Sequence, residues 1–271
     1  MLLTKSLYAD EIELIPHVSK KAQDSFVFDY AYADLHRAFA IAPGGAWSWN
    51  SGSPSVEGAE KAALESCAKY TEQPCVLYAT DNNIVFDRQA WNQLWGPYKT
   101  AQQAEKSKTG ISVGQKFYDL EFTDSQGVKT SISDKRGKVL FVHFWGCWCP
   151  SCQYEFTTLI DMYRIIRDTM EGDVEFVVLQ AREPISDARK WAKKNGFDAL
   201  PLSDSGVKST DDKEFYLKGG SRIADRKVSK VFPSSYVLDK NGIVVFSHSG
   251  SVLNWSEYVP FFRDVVQRSG E

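Results

Sequence analysis

The chain of 271 residues has no long run of apolar residues and no excess of charge of either sign. No segment approaches the roughly 20 consecutive apolar residues that a membrane-spanning helix needs. The formal net charge is −3, which gives no reason to expect nucleic acid or an acidic membrane as a partner. Internal repeats and long low-complexity tracts are also missing. With 43% hydrophobic and 25% charged residues, the composition is typical of a globular protein, and the length favours two domains over one.

The first residues lack the full apolar core of an export signal, although Leu7-Tyr8-Ala9 resembles the small-residue end of one. Two explanations stay open: an export signal was trimmed from the chain, or the chain never carried one. We interpret residues 1–22 as an N-terminal tether or an edge strand.

Cysteine is scarce and unevenly distributed. The five cysteines are Cys67, Cys75, Cys147, Cys149 and Cys152. Cys67 and Cys75 lie close together in sequence and far from the other three. In an oxidising compartment they are expected to form a short disulfide, whereas in a cytosolic protein they would be two buried free thiols.

Residues 23–98 predict a small α+β domain. The segments AFAIAP and AWSWN predict two strands, VEGAEKAALESCAKY predicts a helix, and PCVLYATD and IVF predict two further strands. A bond between Cys67 and Cys75 would staple the helix to the sheet, and a domain this small gains most from such a staple. The tryptophans that form either a small core or a binding surface are Trp47, Trp49, Trp91 and Trp95.

The most informative stretch is VLFVHFWGCWCPSC, residues 139–152. Its apolar and aromatic run suits a buried central strand, and Gly146 breaks the run before the three cysteines. Pro150 is favoured at the first helical position, because it lacks the N–H that would be unpaired there. Cys149 therefore lies at the start of a helix, where unpaired N–H groups and a partial positive charge stabilise a thiolate. Cys152 lies one turn inside and can resolve a mixed disulfide formed at Cys149.

The remaining residues predict a linker and a second domain. Residues 99–110 are polar and lack a clear apolar face, which indicates a linker or a short surface helix followed by a linker. Residues 111–271 predict alternating strands and helices, then a hairpin at Lys240-Asn241-Gly242 and a closing helix. This order is typical of an α/β sheet with helices on both faces. The polar segment KSTDDKEFYLKGGSRIADRKVSK, before the hairpin, is predicted to be partly helical.

The second domain resembles thioredoxin-fold proteins, and within them the extracytoplasmic branch related to TlpA and ResA. The resemblance covers residues 111–271 and rests on three motifs. These are Arg136-Gly137-Lys138 before the apolar strand, Trp148-Cys149-Pro150-Ser151-Cys152, and Phe232-Pro233-Ser234-Ser235-Tyr236. It implies a thioredoxin-like fold, with a central mixed sheet and helices on both faces, preceded by the small α+β domain. Zinc is a poor alternative, because zinc usually takes four ligands and no second Cys/His pair is nearby.

The resemblance implies a role for each matching residue. Cys149 would be the exposed nucleophile and Cys152 the buried resolving cysteine. Trp148 would cover the pair. Phe232 and Pro233 would contact a bound substrate chain, and the peptide bond before Pro233 would be cis.

Glu155 corresponds to a glutamate that this branch often carries near the sulfurs. If it is buried, its pKa rises and it can shuttle protons for Cys152. The alternative is a solvated carboxylate in the first turns of the helix, where it interacts with the helix dipole.

Cys147 and His143 depart from the family pattern. Cys147 is either a small buried residue, an alternative redox partner, or a ligand of a soft metal such as Cu(I) together with Cys149 and Cys152. His143 would join that metal site or, as we expect, be a core histidine with satisfied hydrogen bonds.

The resemblance implies thiol–disulfide exchange on protein substrates that carry disulfides or thiols, without an organic cofactor and without a nucleic-acid partner. It favours a bacterial reductase in the periplasm or elsewhere outside the cytoplasm, with a membrane thiol-transfer protein as electron donor. The segments Phe39-Ala40 and Cys75-Val76-Leu77-Tyr78-Ala79 also resemble small domains of secreted bacterial proteins, which supports export. A DsbA-like oxidase or isomerase and a Cu(I)-binding module stay as alternatives.

Overall fold

The computed structural model of the chain describes residues 15–71, 73–94 and 98–270. Most of the expected tether, including Leu7-Tyr8-Ala9, lies outside the described residues, and so does Trp95. No helix in the described ranges is long and apolar enough to cross a bilayer.

The chain divides into two compact units, Met1–Trp95 with Glu257–Asp264, and Gly96–Ser256 with Val265–Glu271. The first unit differs from the predicted domain of residues 23–98, because it includes a segment near the C-terminus. The expected linker, residues 99–110, belongs to the second unit and contains a short helix. The predicted domain boundaries stay predictions.

The first unit contains a four-stranded antiparallel sheet. Its strands are β1 (Ala38–Ile41), β2 (Trp47–Asn50), β3 (Val76–Thr80) and β4 (Asn83–Ile84), in the order β2-β1-β3-β4. Its helices are α1 (Lys20–Phe28), α2 (Val56–Ala68) and α3 (Arg88–Leu94). Small buried side chains of β1 and α2 pack together, among them Ala38, Ala40, Ala63 and Cys67. Cys75 packs against this cluster and forms a disulfide with Cys67.

The described tryptophans of this unit belong to its aromatic core. Trp91 is buried, and Trp47 is half-buried and stacks on Phe39 with ring centroids 5.7 Å apart. Trp49 donates a hydrogen bond from Nε1 to the Ser25 hydroxyl over 3.2 Å. These contacts support the core interpretation over a binding surface.

The second unit contains the remaining strands and most of the remaining helices. The strands are β5 (Glu121–Thr123), β6 (Lys129–Ser131), β7 (Val139–Trp145), β8 (Val174–Gln180), β9 (Leu202–Ser203), β10 (Glu214–Tyr216), β11 (Arg222–Ala224), β12 (Ser234–Leu238) and β13 (Val244–Ser249). The helices are α4 (Ala101–Glu105), α5 (Pro150–Thr169), α6 (Ile185–Lys194) and α7 (Asp225–Val228). The last helix, α8 (Val259–Arg268), contributes residues to both units. Short 3-10 helices cover Tyr30–Tyr32, Ile132–Lys135 and Trp255–Tyr258.

A mixed five-stranded sheet of order β13-β12-β7-β8-β9 is the centre of the second unit. The strands β7, β8 and β9 run parallel, while β12 is antiparallel to β7 and β13 is antiparallel to β12. All seven residues of β7 are buried, as expected for a central strand with an unbroken apolar run. The predicted fold class, a mixed sheet with helices preceded by a small α+β unit, is confirmed.

The polar segment before the hairpin is partly helical, as predicted, because it contains the four residues of α7. It also contains a second hairpin, β10 and β11, which was not predicted. The reason for this hairpin lies in the alternation at β10, where Phe215 is buried between exposed and half-buried neighbours. Gly219 and Gly220 both have positive φ angles and form the turn between the strands, a conformation that favours glycine.

Candidate active site

The two cysteines of the candidate site lie where β7 ends and α5 begins. Cys149 is the N-cap residue of α5, and Pro150 begins the helix. The Cys149 Sγ accepts a hydrogen bond from the Cys152 N–H over 3.3 Å. The sulfur of Cys149 thus lies at the positive end of the helix dipole, which favours a thiolate once the pair is reduced.

Cys149 and Cys152 form a disulfide, with Cα atoms 5.3 Å apart. Cys152 is fully buried, and only 4% of Cys149 is exposed. The expectation of an exposed nucleophile is therefore wrong for this oxidised state. Cys149 is covered by the segment that precedes β12, because its Sγ lies 3.5 Å from the carbonyl oxygen of Phe232.

The segment before β12 contains the cis peptide bond Phe232–Pro233. The Ser151 hydroxyl donates a hydrogen bond to the Phe232 carbonyl oxygen over 3.4 Å. This carbonyl is therefore held beside the first sulfur, at the place where an extended substrate chain would pass. Phe232 and Pro233 are thus next to the cysteine pair, and their substrate-binding role stays a prediction.

Trp148 lies beside the cysteine pair and is 42% exposed. Its indole packs edge-on against Phe232, with ring centroids 5.4 Å apart. Its Nε1–H donates a hydrogen bond to the Ala181 carbonyl oxygen over 2.8 Å. A methyl group at Gly146 would collide with the same indole. Glycine at the end of β7 therefore leaves room for the tryptophan.

Glu155 is buried in α5, one turn after Cys152. Its Oε2 accepts hydrogen bonds from the Val252 N–H over 2.8 Å and from the Trp255 Nε1–H over 2.9 Å. Burial raises the pKa of Glu155 to about 8, and the two hydrogen bonds oppose that increase only in part. A carboxyl group with this pKa can exchange a proton near neutral pH, so the solvated alternative is wrong.

His143 lies on β7 and is fully buried. Its Nδ1 is 2.9 Å from the Ser235 hydroxyl, and its Nε2 is 3.4 Å from Glu155 Oε1. Burial lowers the pKa of His143 to about 3, so the imidazole is neutral at physiological pH. His143 is thus a core histidine, as expected. The expectation that its hydrogen bonds are satisfied is wrong for Nε2, which has no hydrogen-bond partner among the described residues.

Cys147 is the free cysteine of the motif and is bound to Glu183. Its Sγ–H donates to Glu183 Oε2 over 2.6 Å, and its backbone N–H donates to Oε1 over 2.7 Å. Burial and the adjacent carboxylate raise the pKa of Cys147 to about 12. The thiol is therefore protonated at neutral pH and is a poor nucleophile.

The geometry gives no support to the copper alternative at Cys147, Cys149 and Cys152. Across the described residues, no group of three or more His, Cys, Asp or Glu side chains has an arrangement that would hold a metal ion. The Cys147 thiol is instead bound to a carboxylate, and the other two sulfurs are bonded to each other.

The disulfide between Cys67 and Cys75 belongs to the first unit and is no part of this site. Its Cα atoms are 6.2 Å apart; Cys67 is buried in the core cluster of the first unit, and the half-buried Cys75 packs against that cluster. The structure thus separates a disulfide at the core of one unit from the cysteine pair at a helix start in the other.

Sequence reasoning missed several residues that contact the site. These are Glu183, Val252, Trp255 and the hydroxyl of Ser235. Each is separated in sequence from the site residue that it contacts by at least 36 positions, so the local sequence pattern cannot predict the contact. Ser235 alone was detectable, because it lies in the motif around Pro233.

Comparison with known proteins identifies the family. The Redoxin family profile matches residues 112–258, just over half of the chain. The thiol–disulfide oxidoreductase ResA of Geobacillus kaustophilus is 28% identical over 137 residues, which cover 51% of this chain and 69% of that protein. The thioredoxin-like protein YneN of Bacillus subtilis is 25% identical over 158 residues, which cover 58% of this chain and 82% of that protein.

Two solved structures with detectable similarity come from Bacteroides vulgatus and Bacillus subtilis. The thioredoxin domain of a thiol–disulfide oxidoreductase from Bacteroides vulgatus has 17% identity and a TM-score of 0.43, covering 58% of this chain and 99% of that chain. StoA from Bacillus subtilis has 17% identity and a TM-score of 0.38, covering 56% and 97%. The family match, the curated relatives and the cysteine pair at a helix start agree. The chain therefore belongs to the redoxin family and is a thiol–disulfide oxidoreductase of the TlpA/ResA type.

Proposed function

We propose that the protein reduces disulfides of protein substrates outside the cytoplasm through Cys149 and Cys152. The observation that supports this most is the position of the Cys149 sulfur. It caps the start of α5 and lies beside the Phe232 carbonyl, so the sulfur that becomes a thiolate is next to the segment suited to bind a substrate chain.

The reaction has two exchange steps. The Cys149 thiolate attacks one sulfur of a substrate disulfide, forming a mixed disulfide and releasing the other substrate sulfur as a thiolate. Cys152 then attacks the Cys149 sulfur, forms the Cys149–Cys152 disulfide and releases the second substrate thiolate. Two electrons pass to the substrate, whose two thiolates take up protons, and the protein is left oxidised.

Glu155 is the proposed proton acceptor for Cys152. Cys152 is fully buried, so water does not reach its thiol directly. Because the pKa of Glu155 is raised to about 8, its carboxylate form is a stronger base than an exposed glutamate. The proton that leaves Cys152 before its attack can move to this carboxylate.

The proposed compartment follows from Cys67 and Cys75. Their disulfide is expected to persist in an oxidising compartment and to be rare in the cytosol. A reductase in an oxidising compartment needs a source of electrons from outside it. We therefore propose a membrane thiol-transfer protein as the donor that reduces Cys149–Cys152 again.

Electron flow in the opposite direction would make the protein a DsbA-like oxidase or isomerase. Equilibration of the pair with glutathione buffers separates the two functions. We expect a potential near that of thioredoxin, about −270 mV, whereas a potential near that of DsbA, about −120 mV, would overturn the reductase proposal. The double variant C67S/C75S serves as control, because its titration reports only the pair in α5.

A further inference from the structure

His143 and Glu155 form a buried polar pair between β7 and α5. The distance between His143 Nε2 and Glu155 Oε1 is 3.4 Å, and both side chains are fully buried. In the described part of the chain, neither of these two atoms has a hydrogen-bond partner. A buried polar atom without a partner is costly, so these two atoms are expected to satisfy each other.

The other polar atoms of the pair are already engaged. Glu155 Oε2 accepts two N–H groups, from Val252 and Trp255. His143 Nδ1 is within hydrogen-bond distance of the Ser235 hydroxyl, which can donate or accept. The only open positions of the imidazole and of the carboxyl group therefore face each other.

The imidazole and the carboxyl group can hydrogen-bond to each other in two arrangements, which differ by one proton. With Glu155 ionised, His143 carries its proton on Nε2 and donates to Oε1, while the Ser235 hydroxyl donates to Nδ1. With Glu155 protonated on Oε1, the carboxyl group donates to Nε2, and Nδ1–H donates to the Ser235 oxygen. Glu155 can thus gain or lose a proton while its Oε1 and both imidazole nitrogens keep hydrogen bonds, because a neutral imidazole has two tautomers.

We propose that His143 is a positioning residue for the redox reaction, whose tautomer change allows Glu155 to accept and release the proton of Cys152. The inference rests on the proposed role of Cys152 as resolving cysteine. It gives a role in the redox reaction to His143, the polar residue in the otherwise apolar strand β7. In net terms, the Cys152 thiol loses one proton and the Glu155 carboxylate gains one, while His143 carries one proton before and after the transfer, on Nε2 before it and on Nδ1 after it.

The neighbours of His143 and Glu155 named below include no second carboxyl group whose titration would interfere with that of Glu155. On α5, Cys152 lies one turn before Glu155 and does not titrate while it is in a disulfide. On the sheet, Ser235 is in register with the imidazole on β12, and His248 is in register with Ser235 on β13. On the other side, β8 presents the apolar Val178. Measurement on the oxidised protein therefore excludes titration of the cysteine pair.

The test is a titration of the Glu155 carboxyl group by ¹³C NMR in the oxidised full-length protein. In H143L no donor faces Oε1, so the ionised carboxylate loses a hydrogen bond and the titration midpoint rises by about one pH unit or more. In H143Q the side-chain amide can donate to the carboxylate or accept from the carboxyl group, so the midpoint returns toward that of the wild type. H143M replaces the leucine variant if the latter does not fold.

The matched control is V142A, one residue earlier on the same strand. Val142 is fully buried, and its side chain lies on the face of the sheet opposite to that of His143. We expect V142A to reduce stability and to leave the midpoint unchanged. A midpoint in H143L equal to that of the wild type, or one in H143Q as high as in H143L, would overturn the proposal.

Exchange with a neutral low-molecular-weight disulfide, measured on the same proteins, separates the two proposals. If the wild type carries out exchange but H143L does not change the midpoint, the proposed role of His143 is wrong and the proposed function is unaffected. Absence of exchange in the wild type, with the midpoints shifted as expected, removes the proposed function and leaves the pairing of His143 and Glu155 in place.

Discussion

Glu155 is a buried carboxyl group, with only 1% of the residue exposed. Burial raises its pKa because the charged form loses its hydration, and two N–H donors do not fully compensate. The position was predictable from its spacing after Cys152 and from the family resemblance. Its partners Val252 and Trp255 were not, because they lie about 100 residues away in sequence.

We predict that the E155Q variant has a weaker pH dependence of stability than the wild type. The folded-state pKa of Glu155, about 8, lies above its ordinary value of 4.5. The stability from this group is therefore fully present below about pH 4.5 and is lost as the pH rises to about 8, by at most about 1.4 kcal/mol per pH unit. Gln resembles the protonated carboxyl group and does not titrate, so E155Q lacks this loss.

Chemical denaturation at pH 5 and pH 8 measures the effect. Asp161 lies on the same helix and is exposed, so D161N is the matched control and should keep the wild-type pH dependence. An E155Q variant that loses as much stability between the two pH values as the wild type would contradict the assignment.

The environment of Cys147 could not be predicted from the sequence. Its position two residues before Cys149 left open a packing, redox or copper role. The structure places its thiol against Glu183, which is 36 residues away in sequence and follows a different strand. No local pattern could identify this carboxylate, because the contact depends on the parallel pairing of β7 with β8.

The junction of β7 and α5 was predicted correctly from the sequence. The apolar run, Gly146 and Pro150 together predict a strand, a break and a helix, and the structure has all three. The hairpin of β12 and β13 was equally clear, because its turn residues are typical. The hairpin of β10 and β11 was missed, because its strands are only three residues long and mostly polar.

At this junction we predict that G146A destabilises the protein by about 1–3 kcal/mol, as overpacking does in other cores. The added methyl group would lie 2.6 Å from the Trp148 Cε2 atom. The indole must then shift and lose its hydrogen bond to the Ala181 carbonyl. Denaturant unfolding measures the loss.

A second glycine provides the control for that substitution. On α2, a methyl group at Gly58 would have no heavy atom nearer than 3.5 Å, so G58A is expected to be neutral or slightly stabilising. If G146A unfolds at the same denaturant concentration as the wild type, Gly146 is not required for the placement of Trp148.

The whole molecule consists of two units, and each contains one disulfide: Cys67–Cys75 in the first unit and the redox pair Cys149–Cys152 in the second. Sequence predicted a small α+β region and a larger α/β region from the order of their elements. It did not predict that Glu257–Asp264 belongs to the first unit. The apolar spacing of a helix indicates that one face is buried, but not which core buries it.

We predict that the double variant C67S/C75S loses about 2–3 kcal/mol of unfolding free energy. The disulfide closes a loop with a sequence separation of 8, and a cross-link of this size restricts the unfolded chain by about that amount. Denaturant unfolding without reductant measures the difference. The single variant C147S, which removes a cysteine outside any disulfide, is the control, and equal unfolding free energies of C67S/C75S and the wild type would contradict the prediction.

The most direct test of exchange through Cys149 is to trap the mixed disulfide. The reduced C152S variant, mixed with a peptide disulfide, retains the nucleophile but lacks the resolving thiol. We predict a stable adduct with the peptide linked to Cys149, identified by mass spectrometry of the digested protein without reductant, and no such adduct in C149S. An adduct on Cys147, or none on Cys149, would contradict the assignment of Cys149 as the nucleophile.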